Sequence, residues 1–95
     1  MVVTMPMISE WLKIDGERVV QSLQQASEKL DSALGEVVLD FSSVHRIDPG
    51  AVRELEALAR IADRKAMKVG LRGVNVEIYK VLKLVKVAAR FSFLN

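Results

Sequence analysis

Apolar residues along the chain fall into two rhythms. Between Arg18 and Leu34, the residues Val19, Leu23, Ala26, Leu30 and Ala33 recur at spacings of four and three, while Gln24, Gln25, Glu28, Lys29 and Asp31 occupy the other face. A helix turns once every 3.6 residues, so this spacing gathers the apolar positions into one stripe and predicts an amphipathic helix. The rhythm returns at Val52, Leu55, Leu58, Ala59 and Ala62, with Arg53, Glu54, Glu56, Arg60, Asp63 and Arg64 facing outward. Asp48 and Pro49 mark the start of this second helix. The carboxylate can accept from an unpaired helical N–H, and a proline at the first helical position forfeits no hydrogen bond. The helix is expected to run to about Met67. A third, capped by Asn75, is expected from Val76 to about Val87, with Ile78, Leu82 and Val85 buried.

The second rhythm is that of short apolar runs between the helices. Glu10–Ile14, Val37–Phe41 and Lys68–Arg72 read as strands, and Phe91–Leu94 as an edge strand or a packed tail. Trp11 is expected in the core. Strands that alternate with helices imply crossover connections. The fold class is therefore α/β, a small mixed, largely parallel sheet of about four strands with helices packed on it. A chain of 95 residues makes one domain, residues 1–95, with a flexible start expected over 1–9, where Pro6 discourages regular structure.

Composition removes several kinds of chemistry. The chain has no cysteine, which excludes disulfides, thiolate metal sites and a cysteine nucleophile. His45 is the single histidine, so no metal site and no cofactor is expected. Ser42, His45 and Asp48 are residue types of a hydrolytic triad, but three residues in one loop give no reason for the required geometry, and no enzyme is expected. No apolar run approaches the roughly 20 residues of a membrane helix, and the opening residues do not read as a secretory signal, so a cytoplasmic location is expected. No phosphate-binding glycine loop of the G-x-x-x-x-G-K type occurs.

Net charge is only +2, yet it is unevenly spread. Residues 1–64 carry 7 basic and 11 acidic side chains, and residues 65–95 carry 7 and 1. Lys80, Lys83, Lys86 and Arg90 recur along the third helix as a basic stripe able to meet acidic protein, anionic lipid or RNA. No aromatic residues are interleaved to stack bases, which disfavours nucleic acid.

The stretch VVLDFSSVHRIDPGAVRELEALARIADRKAMKVGLRGV resembles the STAS domain family, which includes bacterial anti-sigma-factor antagonists. Asp40-Phe41-Ser42 matches the end of the family's strand, Ile47-Asp48 the start of its helix motif, and Val76–Val87 its late helix. The resemblance implies a non-enzymatic protein-interaction module in regulation of transcription. Its partner would be a kinase-like anti-sigma factor, bound by the second helix and its approach: His45, Arg46, Asp48, Pro49, Gly50, Arg53 and Glu54. Many such antagonists are switched by phosphorylation of the first serine after the motif aspartate. That position is Pro49 here, which has no hydroxyl, and the following serine is Gly50. The family's early Gly-Glu-Leu-Asp stands as Gly16-Glu17-Arg18-Val19, so the accompanying carboxylate is missing too. Phosphate at Ser42 or Ser43 is the remaining route to such a switch. Other STAS proteins are cytoplasmic subunits of lipid-transporting ABC systems, which makes an ABC ATPase an alternative partner. A nucleotide or small-anion binding module and a homodimer also stay open.

Overall fold

The structure, a computed structural model, describes residues 9–32 and 35–94. The expected flexible start over residues 1–9 lies outside the described residues except at Ser9, which belongs to the first strand, and the inward-facing Ala33 lies outside them as well. Four strands and three helices follow in order: β1 (Ser9–Lys13), α1 (Val19–Ser32), β2 (Glu36–Asp40), α2 (Pro49–Arg64), β3 (Lys68–Arg72), α3 (Val76–Leu84) and β4 (Ser92–Leu94), with one turn of 3-10 helix at Ala88–Arg90 before β4.

The sheet is wholly parallel, with strand order β1-β2-β3-β4. Consecutive strands lie side by side, and right-handed crossovers then carry every helix over the same face. On that face Val37 and Leu39 of β2 and Val69 and Leu71 of β3 are buried with Leu23, Ala26 and Leu30 of α1, Leu55, Leu58 and Ala62 of α2, and Ile78 and Leu82 of α3. Phe41, fully buried, extends this core past the end of β2. Each of these large side chains contributes on the order of 1.5–3 kcal/mol by leaving water.

The opposite face carries no helix. Register places Trp11, Val38, Gly70 and Ser92 in one row and Lys13, Asp40, Arg72 and Leu94 in the next. Trp11 is therefore not a core residue: it is 54% exposed. Strand alternation turns Leu12 toward the helices and Trp11 away from them. The Arg72 guanidinium lies 5.0 Å from the centroid of its indole ring, a cation–π contact two strands across.

Two further expectations are corrected at helix ends. α2 stops at Arg64, and Lys65 reaches back so that its Nζ donates to the Leu30 carbonyl at 2.9 Å and to the Asp31 carbonyl. One lysine thus serves the unpaired carbonyls that close α1. α3 stops at Leu84, short of Val87. Lys86 adopts a φ of 64°, the chain turns, and Val85 is left 44% exposed while Val87 takes the buried place.

The three loops at the carboxyl edge of the sheet press on one another. The Ile14 N–H donates to the Asp40 carbonyl at 2.9 Å and the Phe41 N–H to the Arg72 carbonyl at 2.7 Å, carrying the pairing beyond the strands. A Cβ at Gly16 would sit 1.9 Å from the Ser43 carbonyl oxygen. Gly73 has a φ of 73°, and a Cβ there would lie 3.0 Å from the Cα, Cβ and N of Ser42. Gly16→Ala is expected to destabilise by roughly 2 kcal/mol or more, since backbone rather than a flexible side chain must yield. Urea denaturation reads this directly; an unchanged midpoint would mean that the turn moves away from Ser43 without cost.

Candidate functional site

The carboxyl edge of an open parallel sheet is where crossover loops gather and where such sheets commonly bind. Here that edge is built from the turn Asp15–Arg18, the loop Phe41–Asp48 and the turn Gly73–Asn75. Each is ordered by short polar contacts. The Asp15 carboxylate accepts from the Glu17 N–H at 2.9 Å, and the Asp15 N–H donates to the Ser22 hydroxyl at 3.1 Å. The Asn75 side chain caps α3, accepting from the Ile78 N–H at 2.8 Å, and its amide donates to the His45 carbonyl at 3.0 Å. That second bond ties the start of α3 to the loop before α2.

Asp48 is the N-cap of α2: its Oδ1 accepts from the Ala51 N–H at 2.8 Å, and Pro49 occupies the first turn. The carboxylate satisfies one unpaired donor of the helix, and proline removes another. Gly50 leaves room for the cap, since a Cβ there would lie 3.2 Å from the Asp48 Oδ1, while Val20 of α1 would be at an ordinary contact distance of 3.5 Å. Between the two helix starts lies a cleft of about 280 Å³, lined by Glu17, Arg18, Gln21, Arg46, Ile47 and Asp48 among others. Both signs of charge face into it. A carboxylate at the helix start and a proline in place of an N–H donor suit a polar peptide surface better than a phosphate.

The structure brings His45, Arg46, Asp48, Pro49 and Arg53 to this one end, all exposed, with Gly50 half-buried beside them. Glu54 differs from expectation. It is half-buried, and its Oε1 accepts from the Gln24 amide of α1 at 3.1 Å, so it serves the contact between α1 and α2. Glu17, Arg18 and Gln21 were not anticipated as part of the site. Their signal was the early Gly16-Glu17 pair, whose place beside the second-helix loop is set by the close approach of Gly16 to Ser43. Arg46 and Ile47 also meet Glu77, Ile78 and Val81 in a smaller depression of about 80 Å³.

Of the two candidate serines, Ser42 is engaged. Its N–H donates to the Asp40 carboxylate at 2.9 Å. Hydrogen bonding from Ser42, its N–H foremost, holds the Asp40 carboxyl below its usual value, with smaller help from Arg72 and Lys13, while burial acts in the other direction. Ser43 is half-buried against Gly16. Among the described residues no cluster of three His, Asp or Glu side chains is arranged to hold a metal.

The basic stripe stands elsewhere. Crossover helices run back against their strands, so the end of α3 reaches the amino edge of the sheet, away from the cleft. Lys80 and Lys83 lie on α3, Lys86 follows the turn, and Arg90 lies on the 3-10 helix, where it pairs with Asp63 of α2. The four are exposed but do not share one helix face, because α3 ends before Lys86.

Together these features define a small parallel α/β domain with a polar, glycine-packed loop edge. Residues 9–92 match the family described as "Mlab, STAS domain", and the chain belongs to the STAS family. Comparison with curated proteins returns no match. STAS domains are generally non-enzymatic modules that mediate protein–protein interaction, and membership places this chain among regulatory or interaction modules. No helix among the described residues is long and apolar enough to cross a membrane.

Two outcomes follow from the caps. Asp48→Ala should lower stability by about 1 kcal/mol, the usual cost of losing an N-cap, read as a shift in the urea midpoint. Asp40 titrates lower in the folded chain than in the unfolded one. Its stabilising contribution is therefore present above the ordinary carboxylate value of 3.8 and is lost as pH falls through the lowered folded value. The gap in thermal midpoint between the wild type and Asp40→Asn should narrow as pH falls from about 5 toward about 2; a constant gap would mean that the carboxylate does not carry this effect.

Proposed function

We propose that this chain is a protein-docking module resembling an anti-sigma-factor antagonist, which binds its partner without phosphoserine switching at the start of α2. The carrying observation is the chemistry of that start. Asp48 is committed to capping, Pro49 stands where the family's phosphoacceptor would be, and Gly50 sits close against the Asp48 carboxylate. Control then comes from the partner's own state or from assembly. The recognition surface is the edge formed by His45, Arg46, Asp48, Pro49, Gly50 and Arg53, joined by Glu17, Arg18 and Gln21 across the cleft. Its mixed charge suits a polar protein surface with complementary groups, here a kinase-like anti-sigma factor in a bacterial cytoplasm. Phosphorylation of Ser42 is disfavoured because a phosphate there would meet the like charge of the Asp40 carboxylate, which accepts from the Ser42 N–H.

A second reading keeps the same docking edge and changes the partner to the ATPase of a lipid-transporting ABC system. It is supported by the basic, partly aliphatic surface of α3 at the far end of the domain, which suits work beside a membrane. A nucleotide-binding role has less support, since the helix start opposes an anion.

Affinity capture from source lysate with intact-mass measurement of the bait is the first test. A kinase-like protein or an ATPase should be recovered with unphosphorylated bait. Arg53→Ala should then weaken the purified pair about tenfold by titration calorimetry, in the range of an ordinary interface contact, with the urea midpoint within about 0.5 kcal/mol of wild type. Recovery of bait bearing phosphate at Ser42 or Ser43 would overturn the phosphorylation-independent reading, and unchanged affinity of the Arg53 variant would remove α2 from the docking surface.

A further inference from the structure

We propose that the outer face and the carboxyl end of α3 form a docking surface for an anionic lipid bilayer. Val76, Leu84 and Val85 are 68%, 85% and 44% exposed, with Val81 also outward, although Ile78 and Leu82 already supply the helix's buried stripe. These aliphatic side chains add nothing to the core and leave apolar surface in water. Lys80, Lys83 and Lys86 stand among them, and none forms an ion pair among the described residues. Glu77 is the one acidic residue within α3. An amphipathic surface that mixes aliphatic tips with lysines is the arrangement that settles into a headgroup layer, apolar groups below and ammonium groups at the phosphates.

The local geometry favours this occupant over others. The left-handed turn at Lys86 ends the helix, so Leu84 and Val85 stand at a corner instead of lying flat along the domain. Beside them is a depression of about 380 Å³ framed by Tyr79, Phe93, Lys83 and Lys86, in which the two rings meet edge to face with centroids 4.9 Å apart. An ammonium pair at the rim of an aromatic floor suits a phosphate headgroup above upper acyl carbons. A second copy of this chain would bring the same lysines against their own like charge. A protein interface would be expected to rest on Trp, Tyr or Arg anchors, whereas here Tyr79 is engaged edge to face with Phe93, the most exposed apolar side chains, Leu84 and Val76, are aliphatic, and the nearby Arg90 is paired with Asp63. The carboxyl end of this surface, Leu84 to Lys86, stands at the other end of α3 from the docking cleft, and its binding does not depend on which protein occupies the cleft.

The test is cosedimentation of the full chain with vesicles of phosphatidylcholine alone, or with about one third phosphatidylglycerol. The chain should bind the anionic vesicles and not the neutral ones, and should release at roughly 0.5 M salt. Each lysine replaced by glutamine should weaken binding roughly fivefold, and the Lys80→Gln, Lys83→Gln, Lys86→Gln triple variant roughly a hundredfold. Leu84→Ser should cost about tenfold. All four side chains are exposed, so the variants should keep the wild-type thermal midpoint, which separates lost binding from lost fold. Arg53→Ala should bind vesicles normally, so failure of the protein-docking reading leaves this result untouched. Wild-type chain that ignores anionic vesicles, or variants that bind them as well as wild type, would overturn the proposal; lysine-dependent binding of an acidic protein in the absence of vesicle binding would assign the surface to that protein instead.

Discussion

The carboxyl edge of the sheet depends on the wedging of Ser42 and Ser43 between two glycines. The turn after β1 and the turn after β3 both close against this short loop at distances that leave no room for a Cβ at Gly16 and little at Gly73. Hydrogen bonds from Ile14 to Asp40 and from Phe41 to Arg72 hold the three segments in step as they leave the sheet. Asp40 then folds its carboxylate back onto Ser42. Because these loops start α1, α2 and α3, the wedge fixes where all three helices begin. The cleft between Gly16–Gln21 and Arg46–Asp48 is a consequence of that packing.

The sheet's topology imposes the second constraint. With four parallel strands in sequential order, every crossover covers the same face, and the other face is left to whatever its own side chains can do. Val38 remains buried there, and Trp11 shares its face with the stacked guanidinium of Arg72. Polar neighbours complete the row, with Asp40 between Lys13 and Arg72 in register. A one-sided domain of this size uses its helices both to build the core and to present exposed surface.

The start of α2 illustrates how capping and recognition compete for the same groups. A helix opening has four unpaired N–H groups, and a regulatory phosphate would draw on them. Here Asp48 takes one and Pro49 abolishes another, so stability is gained at a place where a switch could have been built. Glu54, one turn later, is turned toward Gln24 and joins α2 to α1. What stays exposed at this end is the rim: Arg46, Pro49, Arg53 and the residues facing them from α1.

The amino-acid sequence by itself determined the elements and their order. Periods of 3.6 and 2, the capping residues Asp48 and Asn75, and the proline at the first turn of α2 are local signals, and local physics acts on them directly. The STAS resemblance was legible in Asp40-Phe41-Ser42 and Ile47-Asp48, and the missing phosphoacceptor was legible at Pro49. Contacts between distant segments were not. That Trp11 faces away from the helices follows from which face the crossovers cover, and a single strand's alternation names two faces without saying which is buried. That Glu54 bonds Gln24, that Lys65 closes α1, and that Glu17 and Arg18 face Arg46 depend on residues about 30 positions apart being brought together by the packed sheet. The end of α3 was decided likewise by tertiary structure: burying Val87 required the turn at Lys86, and that turn left Leu84 and Val85 in the open.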